Sequence, residues 1–202
     1  MPKVKVPRRS THIDMTAMCD VAFLLLTFFM LTTKFKADEA VIVDTPSSIS
    51  EIKLPDTDIM TITIDRDGKV FFGIDGKYNR ENLIGKVGAK YNLSLTEDAV
   101  RTFSLTPSFG IPISALPQYL AMSPEDQKAY VQPGIPVDST NNELGMWVIY
   151  GRLTNPKFRI AIRGDGMASY PIVKRVMNTL QEKNVNKFNL ITDLEANPAV
   201  KG

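Results

Sequence analysis

Residues 15–33 read MTAMCDVAFLLLTFFMLTT, from Met15 to Thr33. Fourteen of these 19 residues are apolar, four are Thr and one is Asp20. At about 1.5 Å rise per residue the stretch covers roughly 28 Å as a helix, close to the hydrocarbon thickness of a bilayer. The spacing predicts one membrane-spanning helix with a single acid inside it. That acid is expensive. Insertion scales place Asp near a helix centre at roughly +3 kcal/mol, against about −0.3 to −0.6 for each Leu, Phe or Val. Val21, Phe23, Leu24, Leu25, Leu26, Phe28, Phe29 and Leu31 together return about −2 to −5 kcal/mol on the same scale. The segment inserts with little to spare, so Asp20 needs a polar partner or a wet cavity, and an ionisable group inside a span is a candidate functional site by default.

Helical spacing then sorts the span into faces. Thr16, Asp20, Leu24 (or Phe23), Thr27 and Leu31 share one face, and Phe, Leu, Val and Met fill the rest. Thr16 and Thr27 read either as a polar face supporting the acid or as hydroxyls satisfied by their own backbone carbonyls, which apolar helices tolerate. Before the span come Lys3, Lys5, Arg8 and Arg9; after it come Lys34, Lys36, Asp38 and Glu39. The bias places the N-terminus inside and exports the bulk of the chain. A cleavable signal peptide fits less well, because the span is longer than a usual signal core, holds an acid and precedes no small-residue cleavage site. Thr11 with Asp14 three residues on resembles a capping box, an alternative to a role for Asp14 in proton movement. His12, the only histidine, is a surface residue or a proton feed at the membrane edge.

Outside the span the chain is polar enough for an ordinary folded domain, with a mean hydropathy of −0.07 over the 202 residues. The formal net charge of +2 provides no basic field for nucleic acid. The expected organisation is a tail over 1–12, the span over 13–33, an extended tether over 34–58, a folded domain over 59–195 and a second tail over 196–202. In the domain, Met60, Ile62 and Ile64 alternate with Thr61, Thr63 and Asp65, predicting a strand; Asp67-Gly68 predicts a hairpin turn and residues 69–73 the returning strand. Leu83, Ile84, Val87 and Tyr91 predict one face of a helix weakened by Gly85 and Gly88. Residues 92–140 hold Pro107, Pro112, Pro117, Pro124, Pro133 and Pro136 and read as short helices joined by ordered loops, one of them starting at Ser123-Pro124. Asn141 or Asn142 caps a helix carrying Leu144, Trp147, Val148 and Leu153 that ends at Asn155-Pro156. FRIAIR (158–163) is a strand, 170–183 a helix with Ile172, Val173, Val176, Met177 and Leu180 inward, and 188–192 the last strand. This order implies an α+β domain, a small mixed sheet with helices on one face.

No enzyme motif stands out in that domain: there is no G-x-x-x-x-G-K-[ST], G-x-S-x-G or H-E-x-x-H. With His12 and Cys19 the only residues of their kinds, neither a zinc site nor a Cys–His nucleophile can be assembled. No cofactor and no metal is expected, and the reading is non-enzymatic. Trp147 reads as packing, and Lys174, Arg175 and Lys183 as a contact face or a solvated one.

The stretch Ile13–Thr32, with its Asp20, resembles the single transmembrane segment of the ExbD/TolR biopolymer transport proteins. Residues 158–165, 170–180 and 188–192 resemble the end of that family's periplasmic domain, and the hairpin at 60–73 its beginning. The family usually carries Pro where this chain has Ala17, and residues from about 80 to 140 look like a helical insertion. The resemblance implies an inner-membrane, single-pass protein with a cytoplasmic N-terminus and a periplasmic C-terminal domain. It implies a dimer with a second copy of the chain, inside a pentamer of an ExbB-like multi-span subunit. It further implies that Asp20 couples the proton gradient to motion and that the exported domain passes work to a TonB-like or Tol-like partner. The alternative is a passive membrane-anchored scaffold or a TolR-like protein that binds peptidoglycan.

Overall fold

A computed structural model describes residues 15–33, 40–41, 43–45, 47–48, 57–138, 140–185, 187–191 and 193–194. The basic tail, the Thr11–Asp14 cap, His12 and the tail after 195 lie outside the described residues. The chain divides into two units, one up to Lys36 and one from Ala37 onward. The first holds helix α1, Met15–Thr32. Its sequence contains neither Gly nor Pro, and none of its residues is buried by other protein.

The second unit is built on a hairpin. Strand β2 (Ile59–Ile64) pairs antiparallel with β3 (Val70–Ile74) in a register that places Met60, Ile62 and Ile64 beside Ile74, Phe72 and Val70. Three residues, Arg66 to Gly68, close it beyond the Asp65 N–H to Lys69 carbonyl bond of 3.0 Å. Gly68 sits at φ 78°, the left-handed position that such a loop requires. Strand β5 (Arg159–Gly164) runs parallel to β2, and β6 (Phe188–Ile191) parallel to β5. With β4 (Ser108–Phe109) on the far side of β3, the order is β4-β3-β2-β5-β6, a mixed sheet. A separate parallel pair joins β1 (Ser47–Ser48), in the stretch read as a tether, to β7 (Asp193–Leu194).

Period-2 burial gives the sheet one apolar face, formed by Met60, Ile62, Phe72, Ile160 and Ile162. Helices α2 (Lys77–Tyr91), α6 (Glu143–Thr154) and α7 (Tyr170–Glu182) supply the facing side chains Leu83, Ile84, Val87, Leu144, Trp147, Val148, Val176 and Leu180. Asn142 caps α6, accepting from the Gly145 N–H at 3.1 Å, and Asn184 at φ 58° lies just past α7. Two helical residues differ from expectation. Tyr91 is 44% exposed and Leu153 62% exposed, because each closes or nearly closes its helix and its face has run past the core. Instead, Asn92 turns left-handed and Leu93 and Leu95 pack back. Gly88 makes room there: a Cβ would stand 3.2 Å from Leu95 Cδ1.

Residues 92–140 do form short helices: α3 (Glu97–Leu105), a 3-10 turn (Ile113–Ala115), α4 (Leu116–Leu120) and α5 (Pro124–Ala129). Thr96 and Ser123 cap α3 and α5 through side-chain bonds of 3.2 Å to the Ala99 and Asp126 N–H groups. The region is also part of the core. Phe103 and Phe109 close around Trp147, with ring centroids 6.2 and 4.8 Å away, and Phe72 of the sheet lies 6.2 Å from the same indole. Beyond α5 the chain returns to the sheet edge, where Ile135 N–H donates to the Val70 carbonyl at 2.8 Å. Truncating Phe103 therefore opens a cavity in the common core. Phe103→Ala is expected to lower stability by about 3–5 kcal/mol, and Leu105→Ala, at a 62% exposed position, by no more than about 0.5 kcal/mol. Urea unfolding of the detergent-solubilised chain checks both, and equal effects would remove the claim that the region is core.

Candidate functional site

Helix α1 displays its acid on a defined face. With about 100° per residue, Thr16, Leu24, Thr27 and Leu31 fall within roughly 40° of Asp20, and Phe23 within about 60°. Asp20 is the sixth of 18 helical residues, about 8 Å above the first. No Lys or Arg occurs between Met15 and Thr33, so the helix brings no cation of its own to the carboxyl. Thr27 donates its hydroxyl to the Leu24 carbonyl at 2.9 Å. Thr32 and Thr33 do the same to Phe28 and Phe29 at 2.9 and 2.6 Å. For Thr27 the backbone-satisfied reading therefore holds, and its oxygen still offers an acceptor on the Asp20 face. Thr27 lies about 10 Å along the axis from Asp20, so the helix aligns the two without bringing them together. Among the described residues this is one helix long and apolar enough, by length and composition, to cross a membrane.

The perturbed groups of the second unit are structural. Asp165, at the end of β5, has a side chain only 6% exposed. Its carboxyl is held below the ordinary carboxylate range, chiefly by the Met167 N–H (2.8 Å), with help from the Asp44 N–H (3.3 Å) and Arg66 (3.9 Å); burial opposes them. Asp44 returns a bond, its carbonyl accepting from Gly166 N–H at 2.8 Å. Burial raises Tyr119. Burial also lowers Arg80, against the pull of Asp75. The expected basic face of α7 is broken up: Arg175 bonds Asp138 at 2.7 Å, and the Lys183 stem lies over Gly145. Among the described residues no three His, Cys, Asp or Glu side chains converge as a metal site would require.

Sequence reasoning did not single out Asp165, because Asp165-Gly166 looks like any turn dipeptide and its partner at Asp44 is far away in the chain. Its lowered proton affinity stabilises the fold above the unfolded-state value, about 3.9, and that contribution is lost as pH falls through the folded-state value. The gap in urea midpoint between the wild type and Asp165→Ala is therefore expected to be constant from pH 7 to about pH 5 and to shrink below about pH 4. A gap that widened in acid would reverse the assignment. For α1, Asp20→Leu is expected to favour membrane insertion by roughly 3 kcal/mol in a glycosylation-mapping assay; no gain would mean that the segment is not read as a span.

A family model for the biopolymer transport protein ExbD/TolR matches residues 7–195. No curated protein and no solved structure matches the chain.

Proposed function

The chain belongs to the ExbD/TolR family of biopolymer transport proteins, and on that premise we propose that it is the ExbD-like subunit of an inner-membrane motor driven by the proton-motive force. The match spans both the apolar helix and the α+β domain, which fits a single-pass membrane protein with a role in energised transport. In the proposed arrangement the N-terminus is cytoplasmic and the α+β domain periplasmic. Two copies of the chain sit inside a pentamer of an ExbB-like subunit, and the domain passes work to a TonB-like partner.

The observation that carries the reading is the lone Asp20 on an apolar helix that holds no cation. An acid in a dry apolar site favours its neutral form; the same acid turned to a wet face ionises. One charge crossing the membrane potential is worth about 2.3 kcal/mol per 100 mV, enough to bias a rotation or rocking step. Asp20 would take a proton from one side, cross the apolar environment neutral, and release it on the other. Thr16 and Thr27 would line its path as hydroxyls that can hold water. Nothing in this cycle forms or breaks a covalent bond other than to the proton, so the role is non-enzymatic.

Asp20→Asn separates this from a passive scaffold. It keeps the shape and most hydrogen bonding but cannot ionise. The expected outcome is a normally assembled membrane complex whose gradient-dependent uptake is lost, measured by co-purification of the subunits and by transport with and without an uncoupler. Uptake that survives the substitution would leave only the scaffold role, or a TolR-like attachment to peptidoglycan.

A further inference from the structure

The sheet has a second face, turned away from the helices. Pairing places Ser108, Gly73, Thr61 and Ala161 in one row across it, and Phe71, Thr63 and Arg163 in the next. A groove of about 290 Å³ opens on this face, with Thr61 and Thr63 of β2 between a wall that includes Asp75, Arg80 and Ser108 and a wall that includes Arg163. The first wall is fixed. Arg80 donates through Nε to the Ser104 carbonyl at 2.7 Å and through Nη1 to the Ile74 carbonyl at 2.9 Å. Pro107 approaches so closely that a Cβ on Gly73 would stand 2.5 Å from its carbonyl oxygen. Asp75 is occupied at the strand end, where its Oδ2 accepts the Asp58 N–H at 3.3 Å. At the rim, Ser108 Oγ accepts the Ala40 N–H at 3.2 Å.

Two guanidinium groups thus flank a floor of hydroxyls, against a single carboxylate. Such a surface is too polar for an apolar ligand and suits an anionic one. Arg80 is anchored on β3 and Arg163 on β5, two strand spacings or about 10 Å apart. Acidic side chains on one extended segment recur on the same side about every 7 Å, and backbone atoms three residues apart are about 10 Å apart. A segment with two acids spaced this way can meet both cations, which a lone small anion cannot. Arginine also offers donors in a fork that matches a carboxylate.

We propose that this groove binds an extended acidic segment of a partner protein, its carboxylates meeting Arg80 and Arg163 and its backbone crossing Thr61 and Thr63. The inference does not depend on Asp20 or on proton coupling. It is tested with the full chain in detergent micelles and a fluorescein-labelled synthetic peptide of alternating Glu and Val, read by anisotropy. The Glu peptide is expected to bind roughly tenfold or more tightly than its Gln counterpart, with affinity falling as salt is raised. Arg163→Gln is expected to weaken it about fivefold or more. Thr61→Asp, at a half-exposed position, is expected to do the same by repulsion and decides the matter if the first variant does not fold. Hydrogen exchange should slow along β2 and β5. Equal binding of the Gln peptide, unchanged binding in the folded variants, or protection elsewhere would overturn the proposal. So would full displacement by inorganic phosphate at an ionic strength where chloride has no effect, which would make this a simple anion site.

Discussion

The indole of Trp147 is the contact on which the α+β domain closes. It comes from α6, stacks on Phe103 of α3, meets Phe109 of β4 edge-on and leans on Phe72 of the sheet. Aromatic pairs of this kind add about 0.5–1.5 kcal/mol each beyond the area they bury. Here they join three parts of the chain that are distant in sequence. The indole Nε1 is buried with no hydrogen-bond partner, at a cost of about 1–3 kcal/mol for an orphaned donor. The site accepts that cost for the packing it gains. It follows that residues 80–140 are not an appendage clipped onto a finished domain. Ile111, Leu116 and Leu120 are buried in the same core, and β4 with Ile135 covers a sheet edge that would otherwise expose backbone N–H and C=O groups. Removing 92–140 would remove half of the aromatic cluster, so the region cannot be tested by deletion as a detachable adaptor.

Much of this domain is legible because its signals are local. Met60, Ile62 and Ile64 declare a strand by alternation, Asp67-Gly68 a turn, and Ser123-Pro124 a helix start, and each is where the residues say. What is not legible depends on pairing across long separations. Strand β4 has two residues, too few for any periodicity, and exists because Phe109 and Ser108 find Phe72 and Gly73. The same is true of Ser47–Ser48 beside Asp193–Leu194. The groove of Arg80 and Arg163 has no sequence signal either: one Arg opens a helix, the other ends a strand, and only the parallel pairing of β5 with β2 brings them to one face. Tyr91 shows the complementary error, a correct helical phase carried one turn beyond the core that gives it meaning.

The membrane helix presents the opposite case, since almost everything about it can be read from residues 15–33 and very little from its coordinates. Its 18 helical residues touch no buried core, so the environment that would give Asp20 a task lies in other chains and in lipid. The helix itself contributes an arrangement. Thr27 spends its proton on the Leu24 carbonyl and stands about 10 Å along the axis from Asp20, beyond reach of a direct hydrogen bond. A proton moving along this face needs an intermediate carrier, and the nearer residues on the face above Asp20, Phe23 and Leu24, have no polar atoms. The carrier is therefore water or a polar group of a neighbouring subunit. Either requires that the face be covered by protein and not by lipid, since lipid offers neither. In this way the cost of one carboxyl extends to the assembly: the helix inserts with a margin of a few kcal/mol, and the same acid that narrows the margin is stable only where a partner helix supplies the wet side.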